Sequence, residues 1–374
     1  MSIPPLPQFS PHQEAALKAV SAWLKTKRKG QNAPPIFRLF GYAGTGKTTL
    51  ARHLAQSVSG KVLFAAFTGK AALVMRSKGC QGASTIHSLI YRALESGEET
   101  PNFELWSQSP ASEAKLIVVD ECSMVDAELG RDLLSFRVPL LVLGDPAQLP
   151  PVQGGGFFTE AEPDAMLTEV HRQAQDDPIV RMSMQVREGR QPNLGEYGMS
   201  QVVRRSELDP ARVLDADQVL VGRNATRRRF NKRMRERRGF ADILPIAGDK
   251  LVCLRNNRRK GLFNGGLWSV KERRQRKSGT LALRLAPDED RGGRIVKVSA
   301  KAECFTGNIE DYPWEERKAY DEFDYGYVLT VHKAQGSQWD DVVLFDESFV
   351  FAESRARWLY TGITRAAKRL TVVI

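Results

Sequence analysis

Cysteine is scarce and scattered: the 374 residues hold four, Cys80, Cys122, Cys253 and Cys304, with no C-x-x-C pair and no Cys/His spacing that suits zinc. A disulfide framework and a structural zinc site are therefore excluded, and buried free thiols in a reducing cytosol are expected. Long apolar runs are lacking as well. No stretch approaches the ~18 apolar residues of a transmembrane helix, and residues 1–10 show no basic flank followed by an apolar run. The sequence thus predicts neither a membrane span nor a signal peptide, and it predicts a cytoplasmic protein. Internal repeats and low-complexity tracts are absent too.

Positive charge, by contrast, is plentiful. Fifty-five Lys and Arg stand against 44 Asp and Glu, a net charge of +11. Such an excess points to a polyanionic partner, because neutralising phosphates releases counterions and drives sequence-independent nucleic-acid binding. A basic surface that serves only solubility is the alternative. With 42% hydrophobic and 26% charged residues the composition is that of an ordinary globular protein. The length allows two or three domains, each with its own core.

Residues 36–40, 62–67, 116–119 and 140–143 are short apolar runs separated by helical patterns. Runs of that length suit strands of a parallel sheet buried on both faces. The rhythm returns at 218–221, 342–345 and 370–374, which predicts a second α/β sheet, one lying before about residue 175 and one after it. Around 267–270, 281–285 and 295–298 the runs alternate or carry charges, as antiparallel strands with one wet face do. A small β-rich insertion over about 265–323 is expected there. A polar stretch at about 95–114, with Pro101 and Pro110, reads as a shorter insertion of loop or hairpin type.

The apolar run 37–40 leads into Gly41-Tyr42-Ala43-Gly44-Thr45-Gly46-Lys47-Thr48, followed by a helical pattern over 49–58. Strand, glycine-rich turn and helix are the context that a phosphate-binding loop needs. Its glycines let backbone N–H groups curl toward a phosphate, and the helix N-terminus adds partial positive charge. Lys47 would reach the β- and γ-phosphates of a nucleoside triphosphate, and the Thr48 hydroxyl would ligate Mg²⁺. The run 116–119 ends in Asp120 and Glu121. Ligands gather at the carboxyl ends of parallel strands, so Asp120 is expected on the metal and Glu121 on the attacking water. The run 140–143 ends in Gly144-Asp145-Pro146-Ala147-Gln148. The Gln148 amide both donates and accepts, so it can touch the γ-phosphate or its water. An ordinary polar turn is the bland reading of each of the last two stretches.

In this order the motifs resemble superfamily 1 helicases, in particular the 5′→3′ branch that includes RecD and the phage helicase Dda. Gln13 resembles that family's adenine-reading glutamine, ahead of the loop formed by Gly41, Gly44, Thr45, Gly46, Lys47, Thr48 and Thr49. The segments 65–72 and 85–89, with Thr68 and His87, resemble the two that touch single-stranded DNA in the first domain. Residues 119–124 and 144–150 match the second and third motifs, and 167–173 matches the segment whose arginine, here Arg172, contacts the γ-phosphate. Residues 248–250, 255–257 and 263–265 match the stretch that introduces the SH3-like insertion of this branch. Residues 330–337 and 360–366 resemble the last two motifs, with Thr330 and His332 on DNA, Gly336 at the nucleotide and Arg365 at the γ-phosphate. Phe67 departs from the pattern, standing where relatives carry proline, as does His171, standing where phenylalanine is common. The polar insertion is short for a strand-separating pin, with Phe103 and Trp106 as wedge candidates or as surface packing.

What the resemblance implies is an α/β protein of two RecA-like parallel-sheet P-loop domains in tandem, residues 1–175 and 176–374. It places the SH3-like insertion in the second and the short insertion in the first. It implies ATP and Mg²⁺ as cofactors, and single-stranded DNA and duplex junctions as substrate. Replication, recombination and repair are the settings it suggests, with proteins of those processes as partners. ATP would lie between the domains, with Arg365 supplied from the second. Residues 223–238 carry nine Lys or Arg against one Glu and are expected to touch phosphate in part, or to form a solvated helix. Two rivals stay open: an RNA helicase of the related viral branch, and a non-unwinding ATPase that loads or assembles on DNA. A nuclease is not expected, since no further acidic cluster accompanies the loop.

Overall fold

The computed structural model describes residues 9–28, 35–93, 103–150, 156–169, 176–257, 260–262, 264–276, 279–288, 295–306, 309 and 312–374. The chain divides into two compact units, one holding the described residues of Met1–Phe67, Ala71–Arg92 and Glu104–Met184, the other those of Thr68–Lys70, Ala93–Phe103 and Gln185–Ile374.

The chain up to Leu167 contains β1 (Ile36–Gly41), β2 (Val62–Ala66), β3 (Ser84–Thr85), β4 (Tyr91–Ala93), β5 (Phe103–Leu105), β6 (Leu116–Asp120), β7 (Leu140–Gly144) and β8 (Ala165–Leu167). Six of these form one sheet in the order β3-β2-β6-β7-β1-β8, and every neighbouring pair is parallel. β4 and β5 form a separate two-stranded sheet. The apolar runs are continuous because both faces of the sheet are covered. In β6, Ile117 and Val119 face one core with Ile86, Leu89 and Leu133. Leu116 and Val118 face the opposite core with Leu50, Leu54 and Val20. Side chains alternate across a strand, so a strand with two dry faces has no polar position to spare. Each such side chain contributes roughly 1.5–3 kcal/mol when fully buried.

The second unit repeats the plan. Its strands are β9 (Gly195–Tyr197), β10 (Ser200–Val203), β11 (Gln218–Val221), β12 (Lys250–Cys253), β13 (Leu267–Gln275), β14 (Thr280–Pro287), β15 (Val296–Lys301), β16 (Phe323–Tyr325), β17 (Val328–Thr330), β18 (Trp339–Phe345) and β19 (Ala366–Val373). One sheet runs β17-β11-β18-β19-β10-β9, parallel throughout except at β9, which is antiparallel to β10. Another runs β15-β14-β13-β12-β16 and is antiparallel throughout. The alternation in the sequence located β13 to β15; the sheet also takes in β12 and β16, and so spans Lys250 to Tyr325. The chain returns from β16 to the parallel sheet through Gly326. A Cβ there would lie 2.9 Å from the Leu251 carbonyl carbon and from Leu267 Cδ2, so the close turn needs glycine. Helix Asn224–Arg237 joins the two sheets, its Phe230 and Met234 packing in one core with Val219, Val221, Leu251, Trp268 and Phe323.

Candidate active site

β1, β6 and β7 run parallel and are neighbours, so their carboxyl ends bring Gly41, Asp120 and Gly144 to one edge of the sheet. Beyond β1 the loop turns through Gly44 (φ 78°) and Gly46 (φ 80°), left-handed positions that a side chain would strain by about 1–2 kcal/mol. Gly41 is tight for another reason: a Cβ would stand 2.7 Å from Thr45 Oγ1 and 2.8 Å from Leu167 Cβ. Helix Lys47–Gln56 begins directly after Gly46, aiming its free N–H groups into the loop. Lys47 Nζ donates to the carbonyls of Gly41 at 2.5 Å and Tyr42 at 3.0 Å, which holds the ammonium over the loop. Thr49 is exposed on the same helix.

Gln13, on helix Pro11–Arg28 and only 4% exposed, braces this loop. Its Nε2 donates to the Thr45 carbonyl at 2.9 Å, and its Oε1 accepts from Ser10 N at 3.1 Å. The Thr48 hydroxyl donates to Asp120 Oδ2 at 2.9 Å, while Asp120 Oδ1 accepts the Glu121 backbone N–H at 2.9 Å. Glu121 is one of the few non-glycine residues with positive φ, at 54°, in a conformation costly for an ordinary side chain and typical of functional turns. After β7, Asp145 Oδ1 accepts from Ala147 N at 3.0 Å and fixes the turn. Gln148 is buried there, and its Oε1 has no hydrogen-bond partner among the described residues. A buried amide oxygen left unmade costs about 1–3 kcal/mol, which a water or ligand hydroxyl at this edge would recover.

Among the described residues no group of three His, Cys, Asp or Glu could hold a metal by itself. A hydroxyl and a carboxylate 2.9 Å apart beside a phosphate loop fit Mg²⁺, which keeps most of its waters and takes few protein oxygens. Cys122 lies fully buried behind the two acids, and burial, with Asp120 and Glu121 nearby, pushes its thiol far up. It belongs to the core and carries no chemistry.

In the second unit Arg365 is 5% exposed. Its guanidinium donates to the carbonyls of Thr361 and Ser337, both at 3.0 Å, and to Thr364 Oγ1 at 3.1 Å. All three acceptors are neutral, so the guanidinium is held in place without being neutralised by any described residue. Gly336 (φ 72°) lies in the turn that carries Ser337. Thr330 ends β17, and its Oγ1 accepts from Lys333 N at 3.2 Å. The His332 ring sits 5.2 Å from that of Phe351, which stacks on Trp358. Burial pulls the His332 imidazole below its ordinary value and the Lys333 ammonium below its own.

His87 is exposed on helix Ile86–Ile90, whose N-cap Thr85 Oγ1 accepts from Ser88 N at 3.1 Å. Phe67 packs against the core and presents its edge to His87, centroids 6.1 Å apart, so it supports that ring as well as filling space. Thr68 follows it, half-buried. Trp106 is tied to Ile90 through its backbone N–H at 2.7 Å. Arg172, His171 and residues 94–102 of the short insertion lie outside the described residues.

The sequence reading missed Glu347. Its Oε2 accepts from the backbone N–H groups of Gly222 (2.8 Å) and Arg223 (2.9 Å). Its Oε1 accepts from Thr226 Oγ1 (2.6 Å) and from the Arg223 guanidinium (3.1 and 3.0 Å). The clue was present, since Asp346 and Glu347 follow the apolar run 342–345 much as Asp120 and Glu121 follow 116–119. Three of the nine basic side chains of segment 223–238 are spent on acids inside the unit, while Arg228, Arg229, Lys232, Arg233, Arg237 and Arg238 are exposed. Arg223 pairs with Glu347, Arg227 with Asp324 and the buried Arg235 with Asp249.

Comparison with known proteins agrees with this geometry. The AAA domain family matches residues 12–207, and the UvrD-like helicase C-terminal domain matches residues 325–373. The ATP-dependent RecD2 DNA helicase of Deinococcus radiodurans is 29% identical over 360 residues, covering 88% of this chain and 46% of that protein. The ATP-dependent DNA helicase dda of Enterobacteria phage T4 is 32% identical over 165 residues, covering 40% and 37%. The alignments thus span less than half the length of either relative. Among solved structures, a Bacteroides Pif1 helicase in complex with ADP-AlF3 and ssDNA shares the fold at TM-score 0.59 and 16% identity, covering 98% of this chain and 92% of that one.

Proposed function

The chain belongs to the AAA-domain family and carries a UvrD-like helicase C-terminal domain, as superfamily 1 helicases do, and from that premise we propose that it is an ATP-dependent DNA helicase moving 5′→3′ along a single strand. The observation that carries this reading is the Thr48–Asp120 contact at the mouth of a phosphate loop braced by Gln13. That arrangement suits hydrolysis of a Mg²⁺–nucleotide. When bound, Mg²⁺ would be held by Thr48 and Asp120 and would offset charge on the β- and γ-phosphates.

The chain's own residues then have defined tasks. Lys47 leaves its loop carbonyls for the phosphates, Glu121 orients the attacking water, and Gln148 uses its unmatched oxygen to hold that water. Arg172 and Arg365 add positive charge at the γ-phosphate. A cation supplied there in other phosphoryl-transfer enzymes is worth about 10³–10⁵ in rate. Thr68, His87, Thr330 and His332 contact the strand, and Gly336 lines the nucleotide. His332, kept neutral by burial, serves as a hydrogen-bonding and stacking group rather than a phosphate cation. The substrate is single-stranded DNA and its duplex junctions, in the cytoplasm, during replication, recombination or repair.

The test is ATP-driven displacement on duplexes with a 5′ or a 3′ single-stranded tail. Activity with the 5′ tail alone is expected; activity with the 3′ tail alone overturns the polarity. The shortness of the polar insertion at about 95–114 in the sequence favours one second reading, a DNA-stimulated ATPase that does not unwind. ATPase stimulated by single strands without displacement on either tail would select it. Equal or better displacement of RNA duplexes would select the RNA branch.

A further inference from the structure

The second unit holds a cavity of about 830 Å³ between helix Asn224–Arg237, the antiparallel sheet and the segment after β17. Residues four apart share a helix face, and two such rows line it. Arg227, Asn231 and Arg235 form the inner row, and each is committed. Arg227 pairs with Asp324, Asn231 exchanges hydrogen bonds with the Val328 backbone at 3.0 Å each, and Arg235 pairs with Asp249 at 2.8 Å. The outer row contains Arg228 and Lys232, both exposed, and neither forms an ion pair among the described residues.

The lining also holds three acids, Asp324 paired with Arg227, Asp242 paired with Arg273, and the exposed Glu236, together with an apolar group. Phe240 and Phe305 are half-buried there, and Ile243 keeps 63% of its surface exposed. An exposed aliphatic side chain, two aromatic rings and two exposed cations lining one cavity suit one ligand type. A nucleotide presents a flat apolar base and an anionic phosphate a few ångströms apart, and proteins hold single strands with that same pairing of stacking surface and basic track. The volume falls within the range of about 300–1,000 Å³ typical of sites for small organic groups. It therefore admits a single-stranded unit and excludes a duplex. Thr330 and Lys333 line the cavity as well, so it is continuous with a segment already assigned to the strand.

We propose that this cavity takes one nucleotide unit of the bound single strand, its base against Ile243, Phe240 and Phe305 and its phosphates on Arg228 and Lys232. The assignment rests on the strand-binding reading above and adds a site to it. Base identity is not read, since the helix side chains able to discriminate bases are spent on the protein itself.

Fluorescence anisotropy with labelled oligo-dT over a salt series tests it, using the wild-type chain, the double variant Arg228→Gln/Lys232→Gln, and Ile243→Ser. All three side chains are exposed, so unchanged thermal melting is the control for folding. The double variant should flatten the slope of log K against log[salt] by about 1.4, two phosphates at ~0.7 each on a single strand. Ile243→Ser should weaken binding about fivefold or more with the slope unchanged, on the scale of a lost base stack. Wild-type binding with both variants indistinguishable from it overturns the cavity and leaves the strand reading standing. Failure of the wild type to bind any strand overturns both. Suppose instead that oligo-dT binding ignores Arg228 and Lys232. If free dTMP then binds through them, the site belongs to mononucleotides; if a poly-glutamate peptide does, it belongs to a protein partner. Either result overturns the proposal.

Discussion

Thr48 and Asp120, 72 residues apart in sequence, meet through a 2.9 Å hydrogen bond from the threonine hydroxyl to one carboxylate oxygen. A helix N-terminus supplies the first and the tip of β6 the second, so the contact depends on the parallel order of β1, β7 and β6. Replacing either group leaves the sheet intact and removes one of the two oxygens suited to a divalent cation. Thr48→Ala and Asp120→Asn should each lower kcat for ATP by on the order of 10²-fold or more, the scale on which one preorganised group acts. Thr48→Ala should also raise the Mg²⁺ concentration giving half-maximal rate. A steady-state titration of Mg²⁺ checks both. Full activity of either variant would remove these residues from the metal.

Arg365 offers a second test. Its two carbonyl acceptors and one hydroxyl fix the plane of the guanidinium without cancelling its charge. Arg365→Lys keeps a cation but cannot reproduce that fork, so it should lose nearly as much as Arg365→Ala. A fall in kcat of about 10³–10⁵ is expected for the alanine variant, with nucleotide binding measured by a fluorescent ATP analogue kept within a few-fold. Loss of nucleotide binding in step with kcat would instead make Arg365 a structural residue.

Much of this site was legible because strand ends are marked twice, once by an apolar run and once by the polar residue that stops it. The runs before Gly41, Asp120 and Gly144 give the strands within a residue of their observed limits. The antiparallel sheet was legible only where one face is wet. Leu251, Val252 and Cys253 in β12 are all buried, so that strand shows no alternation and escaped the insertion. Pairings were not legible at all. The segment 223–238 reads as a uniform basic stripe, yet Arg235 ends at Asp249 and Arg223 at Glu347, acids that only the fold brings near. The double role of Phe67, core filler and edge partner of His87, likewise depends on where a neighbouring helix is set.

The four thiols give a simple test of the fold. Burial pushes every one of them up, Cys304 to about 11 and Cys253 to about 12, with Cys80 and Cys122 raised in the same direction. The thiolate is the reactive form, so none should react with a disulfide reagent at pH 8 in the native chain. All four should titrate once denaturant is added. Rapid labelling of even one thiol in the native state would contradict the packing of its unit.

Glu347 couples stability to pH. Burial alone would raise its carboxyl, but the Thr226 hydroxyl, the Arg223 and Gly222 backbone N–H groups and the Arg223 guanidinium together hold it below its usual 4.5. A carboxylate depressed in the folded state adds stability that is complete above its unfolded pKa and disappears as pH falls through the folded value. The contribution is therefore full at pH 7 and lost below about pH 4.5. Glu347→Gln puts an NH₂ group against donors on one side or the other, since Oε2 serves two backbone N–H groups and Oε1 serves Thr226 and Arg223. The cost of mismatching a buried group is about 1–3 kcal/mol, or roughly 2–12 °C in the Tm of a unit of this size. Calorimetry at pH 7 should show that drop, and the gap between wild type and variant should close as pH falls from 5 toward 3. A gap that stays constant over that range would mean that packing, not the carboxylate's charge, ties Glu347 to Gly222, Arg223 and Thr226.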